Sequence, residues 1–126
     1  MFIDNDAVIF SPTDLTTYTA SPFASWMDRL LLLQPELALQ MDKPDALLAS
    51  LQSKGLAHET GLLQQFESRG LSIVKIDPAL PVAEKQQQTQ QALFDGYDVI
   101  YQAALSKGNF QGYADFLVKK NSPSKL

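Results

Sequence analysis

The 126-residue chain carries a formal net charge of −4, has no cysteine and is 45% apolar. This length and composition fit one globular domain and exclude a disordered chain. The acidic balance excludes a protein that coats nucleic acid through bulk positive charge, and the missing cysteines exclude disulfides, thiolate zinc sites and iron–sulfur clusters within the chain. The acidic amino terminus and the lack of a long apolar run predict a soluble cytoplasmic protein without a membrane partner.

The predicted elements begin with a short strand at 7–10, followed by two helices. Ser11-Pro12 and Ser21-Pro22 each combine a capping hydroxyl with a proline at the first helical position, which is typical of a helix start. Apolar residues recur in the second helix at steps of three and four. We therefore expect its Trp26, like Tyr18 in the first helix, to lie in a core rather than to stack on nucleic-acid bases.

A longer helix is predicted from about Asp45 to Gly70, because glycine is a common helix terminator. Its apolar stripe consists of Leu48, Leu51, Gly55, Leu62 and Phe66. Gly55 leaves open a division into two helices. His58 falls on the same stripe, which predicts that its side chain faces the sheet.

The remainder of the chain predicts a strand, a helix and a β-hairpin. The strand covers 71–76, and the helix begins near 84 and ends at Gly96. Alternating runs at 98–105 and 110–119 flank a Gly108-Asn109 turn pair, which is typical of a tight hairpin. The fold class is therefore α+β. Its small sheet leaves the final strand with an unpaired edge, which predicts self-association through that strand.

Three polar residues of these elements are candidates for chemistry: His58, Gln102 and Asp115. Strict alternation places Asp115 on one face of the final strand, among apolar and aromatic neighbours. The face consists of Gln111, Tyr113, Asp115 and Leu117. A lone histidine is more often a core residue than a ligand, and a strand carboxylate is more often solvated. On their own, these residues leave the structural and the functional interpretation open.

Four segments resemble the RecB-like nucleases of the PD-(D/E)XK superfamily. SPTDLTTYTASPFASWMDRL is similar to the amino-terminal segment of the family, and KGLAHETGLLQQFESRGLSIVKI to the helix that bears its histidine and the strand that follows. DVIYQAAL and NFQGYADFLVKK resemble the two strands that lead to the first metal carboxylate. The resemblance implies one domain over 1–126, with a helical amino-terminal segment at 1–44. It implies an incomplete core of the α/β restriction-endonuclease type at 45–126.

The resemblance also implies roles for individual residues. His58 and Asp115 match the ligands of a Mg²⁺ or Mn²⁺ ion that serves cleavage of DNA, with RNA left open; the ion and the nucleic acid are expected only in the complete domain. Gln102, Gly112 and Tyr113 match positions expected to shape the site. Ser21 stands where many relatives have a cysteine, so no iron–sulfur cluster is expected. The next strand of the family supplies a Glu/Asp-x-Lys pattern, and the sequence ends at Leu126 where that strand is expected. We therefore expect little or no cleavage by this chain alone.

Two other interpretations stay open beside the nuclease fragment. One is a non-catalytic module with the same partial fold, which binds or assembles with a partner through its open strand edge. The other is an unrelated α+β domain with a structural role. A downstream coding region that supplies Glu/Asp-x-Lys would favour the enzyme, and a stop codon after Leu126 would favour the module.

Overall fold

The structure, a computed structural model, describes residues 1–42 and 46–121, and the end of the chain where a further strand is expected lies outside them. It has an α+β fold, as predicted. Its elements are β1 (Phe2–Asp4), β2 (Ala7–Ile9), α1 (Pro12–Ala20), α2 (Pro22–Leu33), a 3-10 helix (Pro35–Gln40), α3 (Ala46–Ser68), β3 (Ile73–Lys75), α4 (Val82–Asp95), β4 (Val99–Lys107) and β5 (Phe110–Val118). The chain forms two compact units. The first comprises Met1–Pro44 with Ser106–Gly112, and the second comprises Asp45–Leu105 with Tyr113–Leu126.

The first unit begins with a β-hairpin of which only one strand was predicted. β2 confirms the strand expected at 7–10, and β1 pairs with it in antiparallel register, with Ile3 opposite Val8. The turn residues Asn5 and Asp6 have φ angles of 46° and 62°. A two-residue turn of this type needs positive φ at both central positions, and asparagine and aspartate tolerate that conformation better than most residues.

Both predicted helix starts in the first unit are confirmed. The Ser11 hydroxyl accepts a hydrogen bond from the Asp14 amide, and the Asp14 carboxylate accepts one from the Ser11 amide, which completes a capping box. The Ser21 hydroxyl accepts a bond from the Ala24 amide at the start of α2. The Asp14 carboxylate also receives the amino group of Met1 at 2.8 Å, in a nearly buried ion pair.

The prediction that Trp26 and Tyr18 lie in a core is wrong. Their side chains are 55% and 58% exposed, and Phe23 stacks on Trp26 with ring centroids 5.9 Å apart. Within this unit α2 contacts α1 and the 3-10 helix. Two short helices have too little surface to cover a wide apolar stripe, so the aromatic side of α2 stays open to solvent.

The second unit starts with α3, which is one continuous helix through Gly55. Its predicted start at Asp45 lies outside the described residues, as does the side chain of Leu48. The stripe is buried only towards its carboxyl-terminal end, since Leu51 is 56% exposed and Phe66 is 8% exposed. Of the helices in the described part of the chain, none combines the length and the apolar character needed to cross a membrane.

A mixed three-stranded sheet in the order β3-β4-β5 supports α3 and α4. β3 runs parallel to β4, with α4 as the connection, and Gly96 ends that helix in the left-handed conformation as expected. Gly108, with φ 57°, starts the two-residue turn of the predicted β4–β5 hairpin. The core of the sheet consists of Ile76, Ala92, Ile100 and Ala103, with Val74, Ala114 and Leu117 packed against it.

The first residues of β5 are paired on the side away from β4. Within the first unit, the Phe10 amide donates to the Asn109 carbonyl at 2.8 Å, and the Gln111 amide donates to the Phe10 carbonyl at 2.9 Å. This parallel bridge covers one end of the edge that the sequence predicted to be open.

A candidate metal-binding pocket between α3 and β5

A concave pocket of about 510 Å³ lies between α3 and β5 in the second unit. Its walls are formed by Gly55, Leu56, His58, Glu59, Leu62, Asp115 and Phe116. The structure thus brings the two predicted ligands, His58 and Asp115, to one pocket, although they belong to different elements. Both side chains are exposed to solvent, so a hydrated ion can reach them.

The helical repeat explains the α3 side of the pocket. His58 and Leu62 are four residues apart and Gly55 precedes His58 by three, so all three share one face of the helix. A Cβ atom at Gly55 would meet no other atom within 4 Å, which leaves space beside the imidazole. The histidine therefore has an open side, where a ring nitrogen can bind a metal ion.

The β5 side of the pocket corrects the predicted alternation. Ala114 and Leu117 both pack on the core, and the two residues between them, Asp115 and Phe116, both line the pocket. Strict alternation would have put Asp115 and Leu117 on one face. The departure from alternation puts a carboxylate beside an aromatic ring in the pocket wall.

β4 also departs from strict alternation, and the φ angle of Gln102 shows where the departure lies. Ile100 and Ala103 both belong to the core, and between them lies Gln102, whose φ of 59° is left-handed. Its side-chain amide donates a hydrogen bond of 2.5 Å to the Glu59 carboxylate on α3. The structure therefore places the predicted site-shaping Gln102 against a residue that lines the pocket.

Sequence reasoning missed two residues of this arrangement, Glu59 and Tyr101. Interaction with the Glu59 carboxylate, followed by burial, raises the pKa of Tyr101 above its ordinary value of 10.0. The available signal was the position of Glu59 directly after the histidine and three residues before Leu62, at the edge of the same helix face.

Aromatic rings form the support of the pocket. The ring of Phe116 lies 5.2 Å from that of Tyr101 and 5.4 Å from that of Phe66, measured between centroids. Such tilted and edge-on pairs stabilise by about 0.5–1.5 kcal/mol beyond the area they bury. These ring contacts connect β4 and β5 to α3.

The other two predicted site-shaping residues do not line the pocket. Gly112 belongs to the first unit, where a Cβ atom would lie 2.9 Å from the Cγ and Cδ atoms of Pro12, so it permits a close approach of the strand to the start of α1. Tyr113 is 49% exposed, and the Nζ atom of Lys85 lies 5.2 Å from the centre of its ring.

The donor atoms of the pocket suit a divalent ion in part. An imidazole nitrogen and a carboxylate oxygen are ligands that Mn²⁺ accepts, and the carboxylate suits Mg²⁺. Among residues 1–42 and 46–121, however, no three His, Asp or Glu side chains come together as a cation-binding group. A bound ion would therefore take its remaining ligands from water, from substrate or from other protein groups.

Comparison of the chain with protein-family models, with curated proteins and with solved structures finds no match.

Proposed function

We propose that this chain carries the amino-terminal part of a metal-dependent RecB-like nuclease domain that cleaves DNA, with His58 and Asp115 as two of its metal ligands. The observation that supports it is their shared pocket: two residues singled out from separate motifs line one cavity, and they carry suitable donor atoms.

Each group in the pocket then has a separate task. His58 and Asp115 would hold the Mg²⁺ or Mn²⁺ ion, whose chemistry there would be to activate a water molecule and to stabilise charge on the scissile phosphate. The Asp115 carboxylate contributes negative charge for cation binding, and the His58 imidazole contributes a neutral nitrogen. Leu56, Leu62 and Phe116 form the apolar part of the wall beside these two donors.

A partial site is expected to bind metal weakly and to cleave little or not at all. Within the described residues, the proposal assigns two metal ligands to the pocket, His58 and Asp115. The carboxylate of Glu59 also lines the pocket, but it is already bonded to Gln102. β5 is the last strand of the sheet in this part of the chain, so a further strand added beside it would bring new side chains next to Asp115. We propose that such a strand supplies the acid and the lysine of the family pattern.

Metal binding by this chain tests the proposal through its single histidine. We expect Mn²⁺ to broaden the NMR signals of the His58 ring at millimolar concentration, and Asp115→Asn to weaken the effect at least tenfold. Asp95→Asn is the matched control, because that carboxylate lies on α4 and bonds to Gln91. Broadening that is equal in wild type and Asp115→Asn would show that the ion does not use Asp115.

A non-catalytic assembly module remains the second candidate, and the strand edge favours it. Phe10 pairs only with the first residues of β5, and no other strand of the described residues pairs with this edge. An edge strand of this kind can accept a strand from a second chain. Concentration-dependent dimers in sedimentation experiments, abolished by Val118→Lys on the half-exposed edge, would favour the module. A monomer at high concentration would count against it.

A further inference from the structure

The carboxylate next to His58 is bonded to β4. Glu59 on α3 accepts a hydrogen bond of 2.5 Å from the side chain of Gln102. One side chain of α3 therefore holds β4 beside it.

The backbone at Gln102 needs such support. A φ of 59° is uncommon for a residue with a Cβ atom, and here it occurs inside a strand. Strained residues persist only where surrounding contacts stabilise them, and they are frequent at functional sites. The bond to Glu59 is the contact that holds the Gln102 side chain in this conformation.

Gln102 is also connected to the other proposed ligand. It directly follows Tyr101, whose ring packs on Phe116 at 5.2 Å. Phe116 directly follows Asp115, and both line the pocket. A set of neighbouring residues thus runs from Glu59, beside His58, through Gln102 and Tyr101 to the residue beside Asp115.

From these contacts we infer that Glu59 is a positioning residue: by holding Gln102 it keeps α3 and the β4–β5 hairpin in the arrangement in which His58 and Asp115 bind one cation. The inference rests on the proposed function and adds a role for Glu59 that is not that of a ligand. Groups that orient metal ligands commonly change metal affinity by about 10- to 100-fold when they are replaced.

Four variants separate positioning from charge and from stability. Glu59→Ala removes the bond to Gln102, and Glu59→Gln keeps an oxygen that can accept from Gln102 but removes the charge. Gln102→Gly removes the side chain at a position where glycine adopts the observed φ without strain. Glu67→Ala is the matched control, because Glu67 is a carboxylate of the same helix that bonds to a strand residue, Lys75, at the surface.

The experiment measures Mn²⁺ broadening of the His58 ring signals together with urea unfolding of each variant. We expect Glu59→Ala and Gln102→Gly to weaken Mn²⁺ binding about tenfold. Glu59→Gln and Glu67→Ala should stay within about twofold of wild type. Gln102→Gly should lose affinity although its unfolding midpoint is unchanged or higher, a combination that a purely structural role does not produce.

The outcomes distinguish this inference from the proposed function. If wild type binds Mn²⁺ through Asp115 and Glu59→Ala binds equally well, the positioning role is wrong and the metal site stands. If Glu59→Gln loses binding as fully as Glu59→Ala, Glu59 acts through its charge and is not a positioning residue. If wild type shows no Mn²⁺ effect on His58, the metal site itself is wrong, and the role of Glu59 falls with it.

Discussion

Replacing Thr89 by valine should destabilise the second unit, because both hydrogen bonds of its hydroxyl are lost and a buried amide is left without a partner. Thr89 lies on α4 and is 1% exposed. Its hydroxyl donates to the Lys85 carbonyl at 2.8 Å and accepts from the amide of Ala104 on β4 at 3.0 Å. Valine has nearly the same shape but cannot accept a hydrogen bond, so the Ala104 amide would stay buried without a partner. Such a loss costs about 1–3 kcal/mol of the free energy of unfolding.

Thr60 provides the matched control for this prediction. It also lies in a helix and its hydroxyl donates to the carbonyl four residues earlier, that of Leu56, but it is exposed and no strand amide donates to it. We expect Thr60→Val to change the free energy of unfolding by no more than about 0.5 kcal/mol. Urea unfolding followed by circular dichroism measures both variants. An equally small effect of Thr89→Val would refute the reasoning, because the α4–β4 bond would then contribute nothing.

Two further predictions concern the first unit. Gly112→Ala should lower the free energy of unfolding by about 1–3 kcal/mol, because the new Cβ atom would overlap the Pro12 ring. Its control is Gly61→Ala on α3, where a Cβ atom has open space, and this variant should raise the free energy of unfolding by about 1 kcal/mol. Equal unfolding midpoints of the two variants would contradict the prediction. Burial acts to raise the pKa of Asp14, but hydrogen bonds from the amino terminus and from Ser11 outweigh it and hold that pKa below the ordinary value of 3.8. A lowered pKa means that the stabilisation is complete above pH 3.8 and is lost as the pH falls through the folded-state value. Asp14→Asn should remove this part of the acid dependence in a pH series of thermal unfolding, and an unchanged profile would show that Asp14 contributes none of it.

Local signals predicted much of the fold. The capping pairs at Ser11 and Ser21, the glycine that ends α4 at Gly96 and the tight turn at Gly108 each depend on a few neighbouring residues. Their physics is local, so sequence reasoning could place them. β1 was missed although Asn5-Asp6 is a suitable turn pair, because a strand of three residues gives too short a pattern to recognise.

The failures concern features that depend on tertiary contacts. Burial of Trp26 requires a second layer of structure, which periodicity within one helix cannot indicate. The alternation in β4 breaks at Gln102, whose φ is positive, and no glycine or asparagine at this position signals that conformation in the sequence. The bond to Glu59 stabilises it only in the folded chain. For the same reason the sequence pointed to His58 and Asp115 but not to Glu59, which links α3 to β4.

The most direct test of the central claim is Mn²⁺-dependent cleavage of single- and double-stranded DNA by this chain and by the same chain extended through its downstream coding sequence. The proposal predicts that the extended protein cuts, that this chain cuts little or not at all, and that Asp115→Ala in the extended protein abolishes cutting while Asp95→Ala does not. Cleavage by this chain alone would show that its own residues complete the site. An extended protein that cuts equally well with Asp115→Ala, or does not cut at all, would contradict a nuclease centred on Asp115.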